Sequence, residues 1–138
     1  MDLKEYGDLN LLTSVLYGEA RSESVLGKLA VALVIKNRVK SSRWPNSYAD
    51  VILQPKQFSC FNETDPNYEV VLKAVNSSLN WLDRPWRECR GCAQMVIGDW
   101  VNDFTKGANH YHTTACNPYW TKNEGFVLLE GNHKFYKL

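Results

Sequence analysis

The sequence predicts a mainly helical α+β fold, a single domain with a buried central helix and a loop-rich, partly β C-terminal part. Three observations carry that prediction. The run Leu29 to Ile35 is apolar on every side, the pattern of a helix enclosed by the rest of its domain. Ahead of it, Leu12, Val15 and Leu16 repeat at intervals of three and four, which lines one helix face. After Thr105, turn residues and aromatics dominate, and short β-prone runs such as "FVLL" appear.

The elements follow in order. Asp8 to about Arg21 is the first helix, with Asp8 as N-cap before the apolar run. Ser24 caps the second, "VLGKLAVALVIKNRVK". "SSRWPNS" is a loop broken by Pro45, "YADVIL" a short helical turn, and "QPKQFSCFNETDP" irregular chain. Asp65 caps the next helix, about Asn67 to Leu82, with Pro66 in its first turn. "RPW" opens another, about Trp86 to Val101. No internal repeat or low-complexity linker divides the chain, so residues 1–138 are read as one domain.

At 138 residues the chain can bury a real core, and 44% apolar with 22% charged residues is ordinary for a globular domain. A net charge of +1 leaves no basic footprint, which argues against nucleic acid as a partner. The one basic group, Lys36, Arg38, Lys40 and Arg43, reads as a solvated helix face. "MDLKEYGDLN" lacks the charged-then-apolar order of a secretory signal, and no apolar run reaches spanning length. No stable membrane insertion is therefore expected, and a substrate outside the cytoplasm would require delivery by other means. A monomer is the default expectation.

Cys89 and Cys92 form a C-x-x-C, with Cys60, Cys116 and three histidines elsewhere. The second half of a zinc pattern is missing, and "WRECRGCAQMV" looks helical rather than like the strand context of a redox motif. Reduced thiols and no metal or other cofactor are expected, with disulfides open for a protein working outside the cell.

The stretch "LYGEARSE" raises the functional question. Leu12, Val15 and Leu16 lie seven, four and three residues before Glu19, so this acid continues an apolar stripe. A carboxyl there is partly desolvated, its charged form disfavoured and its pKa raised, as a general acid requires. Pairing with Arg21 or another cation at a helix edge is the competing structural reading. Glu23 lies one turn on, on the same face, and cannot easily flank a scissile bond opposite Glu19. It reads as a supporting or helix-end residue. One well-placed acid without an evident partner favours a mechanism that needs only one.

Four blocks, "YGEARSE…GKLAVALVIKNRV", "WPNSYADVILQPKQFSC", "GANHYH…NPYW" and "GNHKFY", resemble the successive signatures of the SleB/CwlJ cell wall hydrolases. That family takes its name from spore-cortex-lytic enzymes and also occurs in phage genomes. The resemblance spans about Leu11 to Tyr136. It implies a lysozyme-like fold similar to lytic transglycosylases, one catalytic domain, no cofactor, and peptidoglycan glycan strands as the substrate. The glutamate of "YGEA", Glu19, is implied as the catalytic acid. Substrate contacts are implied for Gln57, Phe58 and Ser59 of "QFS", and for Asn109, His110 and Tyr111 of "GANHYH". A loop anchored by Phe58 is the competing reading for "QFS". Trp120 is either a stacking platform or core. A bare catalytic domain without a signal suits a phage lysin, released from the host cytoplasm or carried in a virion.

Three rivals remain at this stage. One is a hydrolytic muramidase using a second acid. Another is a zinc amidase built on His110, His112, Cys116 and one further ligand, and the third is a non-catalytic wall-binding module of a virion.

Overall fold

The computed structural model describes residues 3–54, 58–75, 83–122 and 124–138. Its helices are α1 (Asp8–Ala20), α2 (Val25–Lys40), α3 (Tyr48–Ile52), α4 (Tyr68–Val75) and α5 (Arg84–Ile97). They precede strands β1 (His110–Thr113), β2 (Phe126–Glu130) and β3 (His133–Tyr136). Short 3-10 turns occupy Leu3–Glu5, Ser59–Phe61 and Tyr119–Lys122. The fold is α+β and mainly α, as the hydrophobic patterning indicated.

Helix α2 is the central one. Its residues from Leu29 to Ile35 are at most 5% exposed, because α1, α3, α5 and the sheet close on it from several sides. The Ser24 side chain caps it by accepting from the Gly27 amide at 3.1 Å. Lys28, also on α2, is buried, and its ammonium donates to the Glu23 carbonyl at 2.6 Å and to Glu88 at 3.2 Å. Helix α1 packs Leu11, Leu12, Val15 and Leu16 into the same core.

Several boundaries differ from the sequence expectation, each for a local reason. Gly7, not Asp8, is the N-cap of α1; Asp8 begins the helix, where its charge meets the positive end of the dipole. Helix α4 starts at Tyr68, after a turn in which Asp65 accepts from the Asn67 amide at 2.8 Å. The end expected near Leu82 lies outside the described residues. Helix α5 begins two residues early because Asp83 is its cap, accepting from the Trp86 amide at 2.9 Å, with Pro85 in the first turn. It ends before Gly98, followed by Asp99 at φ 59°, so Val101 lies in a loop. The basic group is a solvated face only in part: Lys40 and Arg43 are exposed, but Lys36 and Arg38 turn inward. Arg38 is 7% exposed and donates to the Asn109 carbonyl at 2.8 Å, while Lys36 binds the Val96 carbonyl at 2.8 Å and the Asp99 carboxylate.

The sheet is antiparallel in the order β1-β3-β2, with a bulge between Phe126 and Leu128. Tyr111 pairs with Phe135 and Thr113 with His133. Alternation puts Tyr111, His133 and Phe135 on the face against the helices, and His110, His112 and Tyr136 on the other. Trp120 covers that second face, with ring centroids 5.1 Å from His110, 5.5 Å from His112 and 5.2 Å from Tyr136.

Gly18 lets α1 carry Glu19 into close contact with its neighbours. A Cβ on Gly18 would come within 2.8 Å of both Cys60 Sγ and Val71 Cγ2. Gly18→Ala is therefore expected to cost about 1–2 kcal/mol in chemical denaturation, although alanine is the better helix former, because overpacking outweighs the propensity gain. An unchanged or raised midpoint would contradict that packing.

Candidate active site

Glu19 sits at the penultimate position of α1, half-buried, with the 3-10 turn Ser59–Phe61 and α4 packed beside it. Burial raises its carboxyl pKa, the neighbouring Cys60 thiol partly opposes that, and the nearby charge of Asp65 adds to the rise. Arg21 does not pair with it. Its guanidinium donates to the Tyr17 carbonyl at 2.8 Å and to Asn67 Oδ1 at 2.9 Å. Pairing with Arg21 is thus not what the structure shows.

Tyr111 reaches the same region from β1. Burial raises its phenol pKa well above 10, the Glu19 charge adds to this, and Arg38 partly opposes it. The hydroxyl therefore remains a neutral donor close enough to feel the carboxyl.

His110 lies on the opposite sheet face from Tyr111. Its Nδ1 and Asn109 Oδ1 are 2.8 Å apart, and Asn109 Oδ1 also accepts from the Leu138 amide at 2.9 Å. The His110 Nδ1 is accordingly the protonated nitrogen, leaving Nε2 as an acceptor. Burial and the cations Arg38 and Arg43 lower its pKa to about 4, so the ring is neutral at pH 7. Asn109 Nδ2 donates to the Leu138 carbonyl at 3.1 Å, so this side chain fastens backbone rather than presenting itself to a ligand. Trp44 lies beside His110 at 5.9 Å between centroids, under the guanidinium groups of Arg38 and Arg43 at 5.3 and 4.6 Å.

The remaining expected residues separate. Phe58 is 5% exposed and belongs to the core, so the anchored-loop reading describes it. The Ser59 backbone forms part of the adjoining 3-10 turn, and Gln57 lies outside the described residues. Trp120 is half-buried and rests on the outer sheet face with His110. Glu23 accepts from the Asn132 amide at 2.8 Å, from Asn132 Nδ2 at 3.2 Å and from His133 Nδ1 at 3.1 Å. It clamps the β2–β3 hairpin onto the α1–α2 junction. Gly131, at φ 57°, makes that possible, since a Cβ there would approach Glu23 Oε1 to 2.9 Å.

The donor set for a zinc amidase is not assembled. His112 has both ring nitrogens engaged, Nδ1 with the Thr113 carbonyl at 2.7 Å and Nε2 with the Tyr136 hydroxyl at 3.0 Å. Cys116 is exposed, and Cys89 and Cys92 are buried on α5. Among the described residues, no three His, Cys, Asp or Glu side chains gather as metal donors.

Sequence reasoning missed Cys60, Asp65, Arg38, Trp44 and His133 as neighbours of the site. Cys60 directly follows the "QFS" block and Arg38 ends "KNR", but only folding brings either to its partner.

The cell wall hydrolase family model matches residues 22–136, a segment that begins just after Glu19. Spore cortex-lytic enzymes of Bacillus cereus and Bacillus subtilis are 40% identical over 80 residues and 42% over 76. These matches cover 55% and 50% of the chain, and 30% and 25% of the relatives, so it spans under a third of their length. Among solved structures, it resembles the catalytic domain of the germination-specific lytic transglycosylase SleB from Bacillus anthracis, with a TM-score of 0.72 at 27% identity. That likeness covers 94% of this chain and 93% of the other. The catalytic domain of Bacillus cereus SleB gives the same TM-score at 28% identity, over 94% of this chain and 89% of that one.

Proposed function

The chain belongs to the cell wall hydrolase family, and from that premise we propose that it is a lytic transglycosylase cleaving the MurNAc-β-1,4-GlcNAc bond of peptidoglycan. The observation that carries this reading is the half-buried Glu19 carboxyl near the end of α1, kept towards its protonated form by burial. Glu19 donates its proton to the glycosidic oxygen as the bond from the muramyl anomeric carbon breaks. The resulting carboxylate takes the proton of the same muramyl residue's 6-hydroxyl, whose oxygen bonds the anomeric carbon. The products are a GlcNAc 4-hydroxyl and a 1,6-anhydro muramyl end, so no water and no second carboxylate are consumed. The Tyr111 hydroxyl is a donor for the polarised sugar oxygens, and the neutral His110 Nε2 is an acceptor for a sugar hydroxyl. Trp120, beside His110 on the outer sheet face, offers a flat surface to a sugar face.

One neighbouring charge favours a second reading. The charge of Asp65 reaches Glu19, and a carboxylate there would activate water in a hydrolytic muramidase. Digestion of purified peptidoglycan followed by mass spectrometry separates the two. The expected muramyl ends are lighter by one water and resist borohydride reduction. Reducible ends would make the protein a muramidase, with Asp65→Asn as the next variant. Release of stem peptides without glycan cleavage would overturn both readings.

The helices and sheet share one hydrophobic core, which supports a single catalytic domain over residues 1–138. Action as a monomer and delivery from a host cytoplasm or on a phage particle belong to this proposal. Among the described residues, no helix is long and apolar enough to cross a membrane.

A further inference from the structure

Trp100, just past the end of α5, is 82% exposed, while Trp86 is buried and Trp44 and Trp120 are half-buried. The chain around it is fixed. The Trp100 amide donates to the Met95 carbonyl at 2.8 Å and the Gly98 amide to that of Gln94 at 2.9 Å, closing the helix end. Asp99, at φ 59°, turns the chain between them, and its carboxylate is bound by Lys36, which also holds the Val96 carbonyl at 2.8 Å. Gly98 lets the indole lie on the helix end, since a Cβ there would come within 2.6 Å of Trp100 Cδ1 and 2.7 Å of Nε1. Beside the ring, Gly91, Gln94 and Met95 complete an open depression of about 540 Å³. Gly91 stands inside α5 with nothing within 4 Å of the place its Cβ would take, so packing does not require it, and alanine is the better helix former.

We propose that Trp100, with Gln94 and Met95, forms a second glycan-binding site, which holds a neutral, N-acetylated sugar strand of the cell wall away from the acid. This rests on the peptidoglycan reading above and extends it to a surface the reaction does not use. Helix α5 sets the separation. The hydroxyl of Tyr17, two residues before Glu19, donates to Asp83, the N-cap of α5, at 3.0 Å. The 14 residues of α5 then carry the chain about 20 Å to Gly98, at 1.5 Å per residue. None of the four lining residues is charged, which suits a neutral sugar better than a nucleotide or a lipid headgroup. The indole face stacks on the C–H face of a pyranose, the Gln94 amide both donates to and accepts from hydroxyl or acetamido groups, and Met95, 40% exposed, meets an acetyl methyl. A second protein fits less well: stable interfaces use about 20–30 residues a side, and four line this depression.

Two binding readouts and one kinetic split test this. With 15N-labelled tryptophan, the Trp100 indole signal, identified by its loss in Trp100→Phe, is expected to shift in NMR as the tetramer of N-acetylglucosamine is added. In the Glu19→Gln background, Trp100→Ala should lower co-sedimentation with purified peptidoglycan about three- to tenfold, the worth of one stacked ring. With Glu19 in place, Trp100→Ala should slow cleavage of insoluble peptidoglycan but not of short soluble glycan fragments, a split that loss of folding would not produce. A Trp100 signal that stays fixed while those of Trp44 and Trp120 move, or co-sedimentation unchanged in Trp100→Ala, would overturn the proposal. So would a concentration-dependent dimer that Trp100→Ala abolishes, because a second copy would then be what covers the ring. Both binding readouts are taken without turnover, so their failure is distinguishable from a product analysis that goes against the transglycosylase.

Discussion

Glu19→Gln is expected to lower glycan cleavage by about 10²–10⁴-fold, the range for loss of a positioned general acid and base, or roughly 3–5 kcal/mol of barrier. Glutamine keeps the shape of the side chain but has no proton to give, so substrate binding should change little and kcat should carry the loss. The fold should survive, and its stability gives a second signature. The Glu19 pKa is raised in the folded protein by burial, with Asp65 adding to it. The folded state therefore holds this proton more tightly than the unfolded chain. Glu19 lowers stability as pH rises from the unfolded carboxyl value, about 4.3, through the higher folded one. Above that window Glu19→Gln should be at least as stable as the wild type in urea denaturation. Cleavage at the wild-type rate would remove Glu19 from the mechanism. A variant that unfolds more easily at neutral pH would mean that the buried carboxylate is stabilised after all.

Glu23→Ala is expected to act on stability instead. It strips the acceptor from three donors, the Asn132 amide, Asn132 Nδ2 and His133 Nδ1, in a place where Glu23 and His133 are 9% and 3% exposed. Unpaired buried donors of this kind cost about 2–4 kcal/mol together, lowering the melting midpoint by roughly 10 °C. Activity at a temperature where the variant is folded should fall far less than in Glu19→Gln. The loss has a pH signature. Burial pushes the Glu23 pKa up, but the bonds from Asn132 and His133 more than offset this and leave it below the usual carboxylate value. Its contribution is complete above about pH 4.5 and is lost as pH falls through the depressed folded value. The gap between wild type and Glu23→Ala should close in that acid window. Equal stability of the two proteins at pH 7 would show that the hairpin does not depend on this clamp. Equal catalytic losses for Glu19→Gln and Glu23→Gln would mean that their roles are wrongly divided.

His133 adds a related pH dependence. Burial lowers its pKa, the adjacent His112 adds to this, and Glu23 opposes it. A histidine kept neutral by the fold contributes stability that is full above about pH 6.5 and declines as pH falls below it. Its Nε2 is buried without a hydrogen-bond partner among the described residues, which fits a bare lone pair better than a second N–H.

The sequence determined the helical core and the place of Glu19 on a buried helix stripe. Leu29 to Ile35 has no polar side, so it can only be enclosed, and the spacing from Leu12 to Glu19 puts the carboxyl on a buried stripe whatever packs there. Local chemistry also placed Ser24 as a cap and the "FVLL" run in a strand, because caps and short β-prone runs act within a few residues. Helix ends were less legible: Asp83 accepts from the Trp86 amide and caps α5, whereas Asp65 accepts from the Asn67 amide in a turn ahead of α4, and which of the two an aspartate does depends on how the chain enters the helix.

Only the tertiary structure decided what surrounds the acid. Cys60 lies 41 residues after Glu19 and Tyr111 92 after it; no periodicity links positions that far apart, and their meeting depends on Gly18 admitting a close neighbour and on the register of β1 with β3. The same register divides "NHYH", sending Tyr111 inward and His110 outward, and gives Asn109 a fastening role through its bonds to Leu138. Glu23, one helical turn beyond Glu19 in sequence, faces three donors instead of a sugar because the β2–β3 hairpin folds back over it. A carboxyl's pKa depends on burial and on the charges and donors within a few ångströms, and those distances exist only once the chain has folded.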